Sequence, residues 1–222
     1  MPSIVSLICR SALTLAALAF APAAALAHPH VFVDAKAEIV FDGQGRMSAV
    51  RAIWQFDEAF TAFAIQGLDA NNDGALDDEE LAPLAKVNVD SLREYNYFTV
   101  LTVDGTETTL KPPEEYFLQF HGGRLTLFFT LPLAEPLAPK GDTRLEVYDP
   151  EYFVAFTFVE DQPIALDHAP AGCAAVYHPP RELDSASAAI LGAIPADQRD
   201  LPPDLAALTD GLASVITINC GQ

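Results

Sequence analysis

From Val31 to Phe41 the odd positions, Val31, Val33, Ala35, Ala37, Ile39 and Phe41, are apolar, while Asp34, Lys36 and Glu38 alternate with them. A repeat of two places these side chains on opposite faces of a half-buried strand. Asp-Gly-Gln-Gly at 42–45 then turns the chain into a second apolar run over 46–56, which predicts a hairpin. Further strand runs are expected at 97–105, at 115–133 around a Gly122-Gly123 turn, and at 143–160. Proline-rich breaks at 131–142 and 168–173 punctuate them. The tail from about Arg181 to Gly211 favours helix, interrupted at Pro195 and at 201–204, and Ser214–Cys220 returns to a strand pattern. The class expected is α+β: an antiparallel β domain, built as a sandwich, with a helical insert and a C-terminal helical segment.

The insert breaks the strand pattern between about 56 and 97. Its centre, DANNDGALDDEE at 69–80, follows the pattern D-x-[DN]-x-[DN]-G-x5-E. Such a calcium loop needs oxygen ligands at positions one, three, five, seven, nine and twelve, and glycine at six for the sharp turn. Asp69, Asn71 and Asp73 fill the first three, Gly74 the turn, the Ala75 carbonyl the seventh, Asp77 the water-bridged ninth and Glu80 the bidentate twelfth. Before the loop, Phe56, Phe60, Phe63, Ala64 and Gly67 fall near one helical stripe; after it, 79–95 favours an exiting helix. This is a single EF-hand-like helix–loop–helix. With no second such loop in the sequence, Leu76 at position eight must pack on the protein's own β-structure or on another copy of the chain, so the oligomeric state stays open.

The amino terminus adds a compartment. An apolar region from about Ser11 to Ala24, with small residues at Ala25 and Ala27, matches a secretory signal cut after Ala27. The apolar run is shorter than the ~20 residues of a membrane span. Cleavage leaves 31 acidic against 11 basic side chains, which argues against nucleic acid or an anionic membrane surface as partner. The expected domains are therefore a cleaved signal over 1–27, a β domain with its insert over 28–180, and the helical segment over 181–222. Cys173 and Cys220 remain after cleavage, and an even pair in an oxidising compartment predicts one disulfide tying the C-terminal segment to the body.

Cleavage would also expose His28-Pro29-His30. The free α-amine, of pKa ~8, joins the imidazole of His28 as a metal donor. His30 and Asp34 lie on the same strand face two and six residues on. Pro29 has no N–H to lose, which excludes the square-planar copper or nickel geometry that uses intervening amide nitrogens. A site of His28, His30, amine and Asp34 suits zinc, copper, nickel or cobalt, with His121, His168 or His178 as completing donors; solvated terminal histidines that position the first strand are the alternative. A zinc site at His168 and His178 would need Cys173 as a thiolate, in conflict with the disulfide, and the disulfide is preferred.

HPHVFVD at 28–34, WQFDE at 54–58, the calcium loop and REYNYFT at 93–99 together resemble the bacterial domain-of-unknown-function family 1007, over most of 28–160. Phe32 stands where tryptophan would be equally expected. The resemblance implies a periplasmic component of an uncharacterised ABC-type transport system, linked to a transition metal, and it supplies no catalytic residue. Three functions follow as expectations. The first is a periplasmic metal-binding accessory or solute-binding component, its calcium structural, serving a membrane transporter of a metal ion. The second is a calcium-stabilised interaction module without a transition metal. The third is a copper oxidative enzyme built on the terminal histidine, although the chain offers no serine or cysteine nucleophile motif and no phosphate-binding glycine loop.

Overall fold

The computed structural model describes residues 29–195, 198, 200–209 and 211–221; the expected signal segment and His28 lie outside them. The alternating run becomes β1 (Val31–Phe41), whose odd residues are buried throughout. β2 (Met47–Phe56) returns antiparallel, with Ala35 opposite Trp54 and Val33 opposite Phe56. The glycine turn produces β5 (Tyr116–His121) and β6 (Arg124–Leu137), and β6 also pairs with β2. Gly122 and Gly123 adopt φ of +59° and +82°, conformations that a side chain would strain.

Two findings correct the expected all-antiparallel domain. The run over 143–160 is two strands rather than one: β7 (Thr143–Val147) belongs to one sheet and β8 (Val154–Phe158) to the other. Having crossed between sheets, β8 lies parallel to β1, with Val31 opposite Val154 and Ala35 opposite Phe158. β9 (Ile164–Asp167) continues the same edge, also parallel to β1. The crossover turns on Asp149, whose carboxylate accepts backbone N–H groups from Glu151 (2.9 Å), Phe153 (3.0 Å) and Val154 (2.9 Å). Burial pushes the Asp149 carboxyl above its usual range, against the pull of those three donors.

The first sheet has the order β5-β6-β2-β1-β8, with β9 beside β1. The second runs β10-β11-β7-β3-β4, using β3 (Thr99–Val103), β4 (Thr106–Glu107), β10 (Cys173–His178) and β11 (Ser214–Cys220). Both sheets feed one core: Ile39, Trp54 and Phe129 from the first meet Leu101, Leu145 and Ile216 from the second. The fold is α+β with mostly antiparallel sheets.

Helices are few. α1 (Glu58–Ala64) and α2 (Asp78–Leu92) flank the acidic loop, and α3 (Ser185–Gly192) lies in the C-terminal segment, where Leu191, Ile194 and Leu201 form a small second core. α2 packs against β5 and buries Leu81, Ala85 and Val89, spaced at one helical turn. The predicted exit helix stops at Leu92, because the chain over 93–98 tightens and Asn96, Tyr97 and Phe98 take positive φ. Among the described residues no helix is long and apolar enough to cross a membrane.

β9 and β10 were not expected from the pattern. In β10, Cys173, Ala175 and Tyr177 face inward at half-burial, so the contrast between faces is weak. Cys173 lies directly opposite Cys220 across β10 and β11, and the two form the disulfide, closing 47 residues of sequence. Replacing both cysteines with serine is expected to cost about 2–4 kcal/mol, from the freedom restored to the unfolded chain. Urea denaturation of oxidised parent and double variant checks this, and equal midpoints would remove the role.

Candidate functional site

The acidic loop hangs between two capped helices. Asp57 caps α1 by accepting the Phe60 N–H at 2.8 Å. Its other oxygen accepts the Phe32 N–H at 2.8 Å, while its own N–H donates to the Phe32 carbonyl at 2.9 Å. One side chain therefore starts the helix and fastens it to β1. Buried Thr61 adds a second tie, its hydroxyl accepting the Leu125 N–H of β6 at 3.1 Å. Phe60 packs on Phe56 with ring centres 4.6 Å apart, as the stripe predicts. Phe63 does not join them: it is 73% exposed, in a helix that ends after seven residues.

Within the loop the side chains fold inward onto the backbone. The two oxygens of Asp69 accept the N–H groups of Asp73 and Gly74, each at 3.1 Å. Asn71 accepts from Asp73 N–H at 2.8 Å, and Asp73 from Ala75 N–H at 2.8 Å. Gly74, at φ +83°, makes the sharp turn at position six. Asp77 caps α2 by accepting the Glu80 N–H at 2.9 Å, and Glu80 answers by accepting the Asp77 N–H at 3.4 Å, a capping box.

Glu80 does more than cap. Its other oxygen reaches across the loop to accept the N–H groups of Ala70 at 2.8 Å and Asn71 at 3.3 Å. Position twelve is thereby drawn against positions two and three. Asp69, Asp73, Asp77, Asp78, Glu79 and Glu80 crowd this segment with no basic residue among them, so closure sets like charges together. The nearest lysine along α2, Lys86, is engaged by Asp90 at 2.5 Å. Leu76 packs on the protein's own main core, the first of its two expected destinations.

The histidines are scattered. His30 enters β1 with its ring 4.6 Å from that of Phe153, and its N–H donates to the Phe153 carbonyl at 2.9 Å. Asp34 sits on the outer face of β1, where its carboxylate pairs with Arg124 at 2.7 Å. His121 ends β5, His168 lies 2.8 Å from Asp167, and His178 is 3.0 Å from the Thr217 hydroxyl. Among the described residues no group of three or more His, Cys, Asp or Glu side chains gathers in a metal-holding cluster.

Sequence reasoning missed Arg124 and the second role of Asp57. Arg124 donates to the Phe56 carbonyl at 2.7 Å and the Gln55 carbonyl at 3.2 Å besides pairing with Asp34, so it locks the end of β2 to β1. Nothing local marks it, since its partners lie 68 to 90 residues away. For Asp57 the signal was present in its place just before a helical run. Asp57→Ala is expected to lower stability by about 1–2 kcal/mol through loss of the cap, and Asp57→Asn by less. Thermal melts of the two variants check the order, and equal losses would show that the side-chain acceptor is not what matters.

Compared with known proteins, the chain is 33% identical over 98 residues to an uncharacterised 15.5 kDa protein in the trpE 3' region of Spirochaeta aurantia, covering 44% of this chain and 70% of the relative. It is 24% identical over 150 residues to an uncharacterised protein of Haemophilus influenzae, covering 67% and 71% respectively. The family model described as "Protein of unknown function (DUF1007)" matches residues 13–220. Spanning nearly the whole chain, that match places the protein in the DUF1007 family.

Proposed function

We propose that the protein is an exported, periplasmic accessory of a transition-metal transport system, a two-sheet sandwich whose EF-hand-like insert is clamped by calcium. The observation that carries the calcium reading is the closure of the loop by Glu80, which reaches back to Ala70 and Asn71 while also capping α2. That contact draws the twelfth ligand position toward residues two and three of the loop. Among the described residues the acidic side chains do not gather into a metal-holding cluster, and a single ion held by Asp69, Asn71, Asp73, the Ala75 carbonyl, Asp77 through water and Glu80 would draw them together. The carboxylate oxygens accept only one or two N–H groups each, which leaves lone pairs for a cation. Calcium would supply the positive charge that this acidic segment lacks. Its role is structural: with Leu76 committed to the protein's own core, there is no paired loop to open.

The transport half rests on the family resemblance and on the terminal histidines. His28 with its α-amine and His30 would take zinc, copper, nickel or cobalt and pass it to a membrane transporter. Asp34 enters that donor set only by exchanging Arg124 for the metal, so the histidines and amine carry it.

Two measurements test these readings separately. At calcium 10 to 100 times an extracellular-type Kd of roughly 10⁻⁴–10⁻³ M, binding to the folded state adds about 1.4–2.7 kcal/mol. Glu80→Gln should therefore melt well below the parent in calcium and close to it in chelator; equal deficits in both buffers would refute the clamp. In calorimetric titrations, a chain starting at residue 28 and carrying His28→Ala with His30→Ala should lose affinity for zinc, copper, nickel or cobalt. Parent-like binding of all four would remove the histidines from the function.

A further inference from the structure

A cavity of about 350 Å³ opens where the start of β1, the end of β2, the start of β8 and the last turn of α2 meet the turn at 93–98. That volume falls at the small end of the range for ligand pockets, about 300–1,000 Å³. Its wall is aromatic. Trp54 lies 4.7 Å from Phe156 and 6.5 Å from Phe98, ring centre to ring centre, and Phe98 lies 5.5 Å from Phe156. Tyr95 stacks on Phe98 at 5.3 Å and is 46% exposed, so its ring borders solvent while the others are buried.

The charged part of the wall is three carboxylates, Asp149, Glu151 and Asp200, beside the neutral polar Asn88 and Ser91. None of the described lining residues is Lys, Arg or His. Asp149 is only 7% exposed, and its partners are backbone N–H groups, which carry no full charge. Glu151 likewise accepts the backbone N–H of Leu201. Among the described residues no ion pair neutralises any of the three.

We propose that this cavity binds a small organic cation with an apolar body, a tertiary or quaternary ammonium. Aromatic faces attract such a cation through their quadrupoles, most strongly where water is excluded, and the carboxylates give the charge its counterpart. A bare divalent metal is a poor fit, since it demands a shell of oxygen or nitrogen ligands where this wall offers mostly carbon. The neighbouring backbone fits the same use. Asn96, Tyr97 and Phe98 hold φ of +49° to +53°, an unfavourable run that sets Tyr95 and Phe98 where they line the opening, and strain of this kind collects at binding sites. Burial raises the Asp149 carboxyl above its usual range, and a cation seated beside it would favour the ionised form. The inference is independent of the metal readings.

Trp54 is the one tryptophan of the chain, so its fluorescence reports the cavity directly. The test titrates the purified protein with phenyltrimethylammonium and with tert-butylbenzene, which has the same shape without the charge. The cation should quench or shift Trp54 saturably and bind about tenfold more tightly than the neutral isostere. Tyr95→Ala and Glu151→Gln should each weaken the cation several-fold, while Glu151→Gln leaves tert-butylbenzene unchanged. Equal affinity for the two compounds would overturn the claim of cation recognition, and the absence of any saturable change would overturn the site itself. The comparison of ligands needs only the parent protein, so it stands even if a variant folds poorly.

Discussion

β1 has partners on both sides, and everything of functional interest is hung from it. β2 occupies one edge in antiparallel register, while β8 and then β9 share the other in parallel. Its odd side chains must therefore fill the core, and Ala35 and Ala37 are small where they do so, leaving room for Trp54 directly across the pair from Ala35. The indole then touches Phe129 edge-on at 4.8 Å and Phe156 at 4.7 Å, which joins three strands of the first sheet in one aromatic cluster. A larger residue at 35 would overpack that cluster, and a slip of one residue would turn the whole apolar row to solvent.

The outer face of the same strand anchors the rest. The Phe32 N–H donates to the side-chain carboxylate of Asp57, which starts α1, and the Phe32 carbonyl accepts the Asp57 N–H, while Asp34 pairs with Arg124 at the start of β6. Arg124 spends its remaining donors on the carbonyls of Gln55 and Phe56, where β2 ends and the insert begins. The helical insert is thus fixed at its root by a half-buried guanidinium and an N-cap. A surface pair standing alone would contribute little, but here the same cation also satisfies two carbonyls, which geometry alone would leave facing it.

The hairpins and the acidic loop were legible because their signals are local. Alternation around a glycine turn marks β1 with β2 and β5 with β6, and a twelve-residue loop carries its own spacing. The disulfide was legible from compartment logic, although the facing of Cys173 and Cys220 depends on β10, which has no clear apolar face. What could not be read is long-range. The 143–160 run looks continuous, and only the chain's return to the free edge of β1 makes Asp149 a crossover and β8 a parallel strand. The half-turn at 93–98 is similar: nothing in its composition, glycine-free as it is, announces three left-handed residues. The cavity inherits this difficulty, since its wall joins residues from positions 31 to 200.

α2 relates the acidic loop to the cavity. It begins at the Asp77 and Glu80 capping box and ends at Asn88, Ser91 and Leu92, which line the cavity. At a rise of about 1.5 Å per residue, Asn88 to Leu92 lie about 12–18 Å beyond Glu80, more than the ~8–10 Å screening length, so a loop-bound ion acts only weakly on a ligand directly. Coupling would have to pass through the position of the helix. That position is already fixed by Leu81, Ala85 and Val89, buried in the main core, and by Leu76 just before the cap. An ion in the loop would then hold the near end of a helix whose middle is locked by packing, adding stability to the insert without moving its far end. A lone loop suffices for that task, because a clamp needs a fixed wall to press against and the sheet provides one.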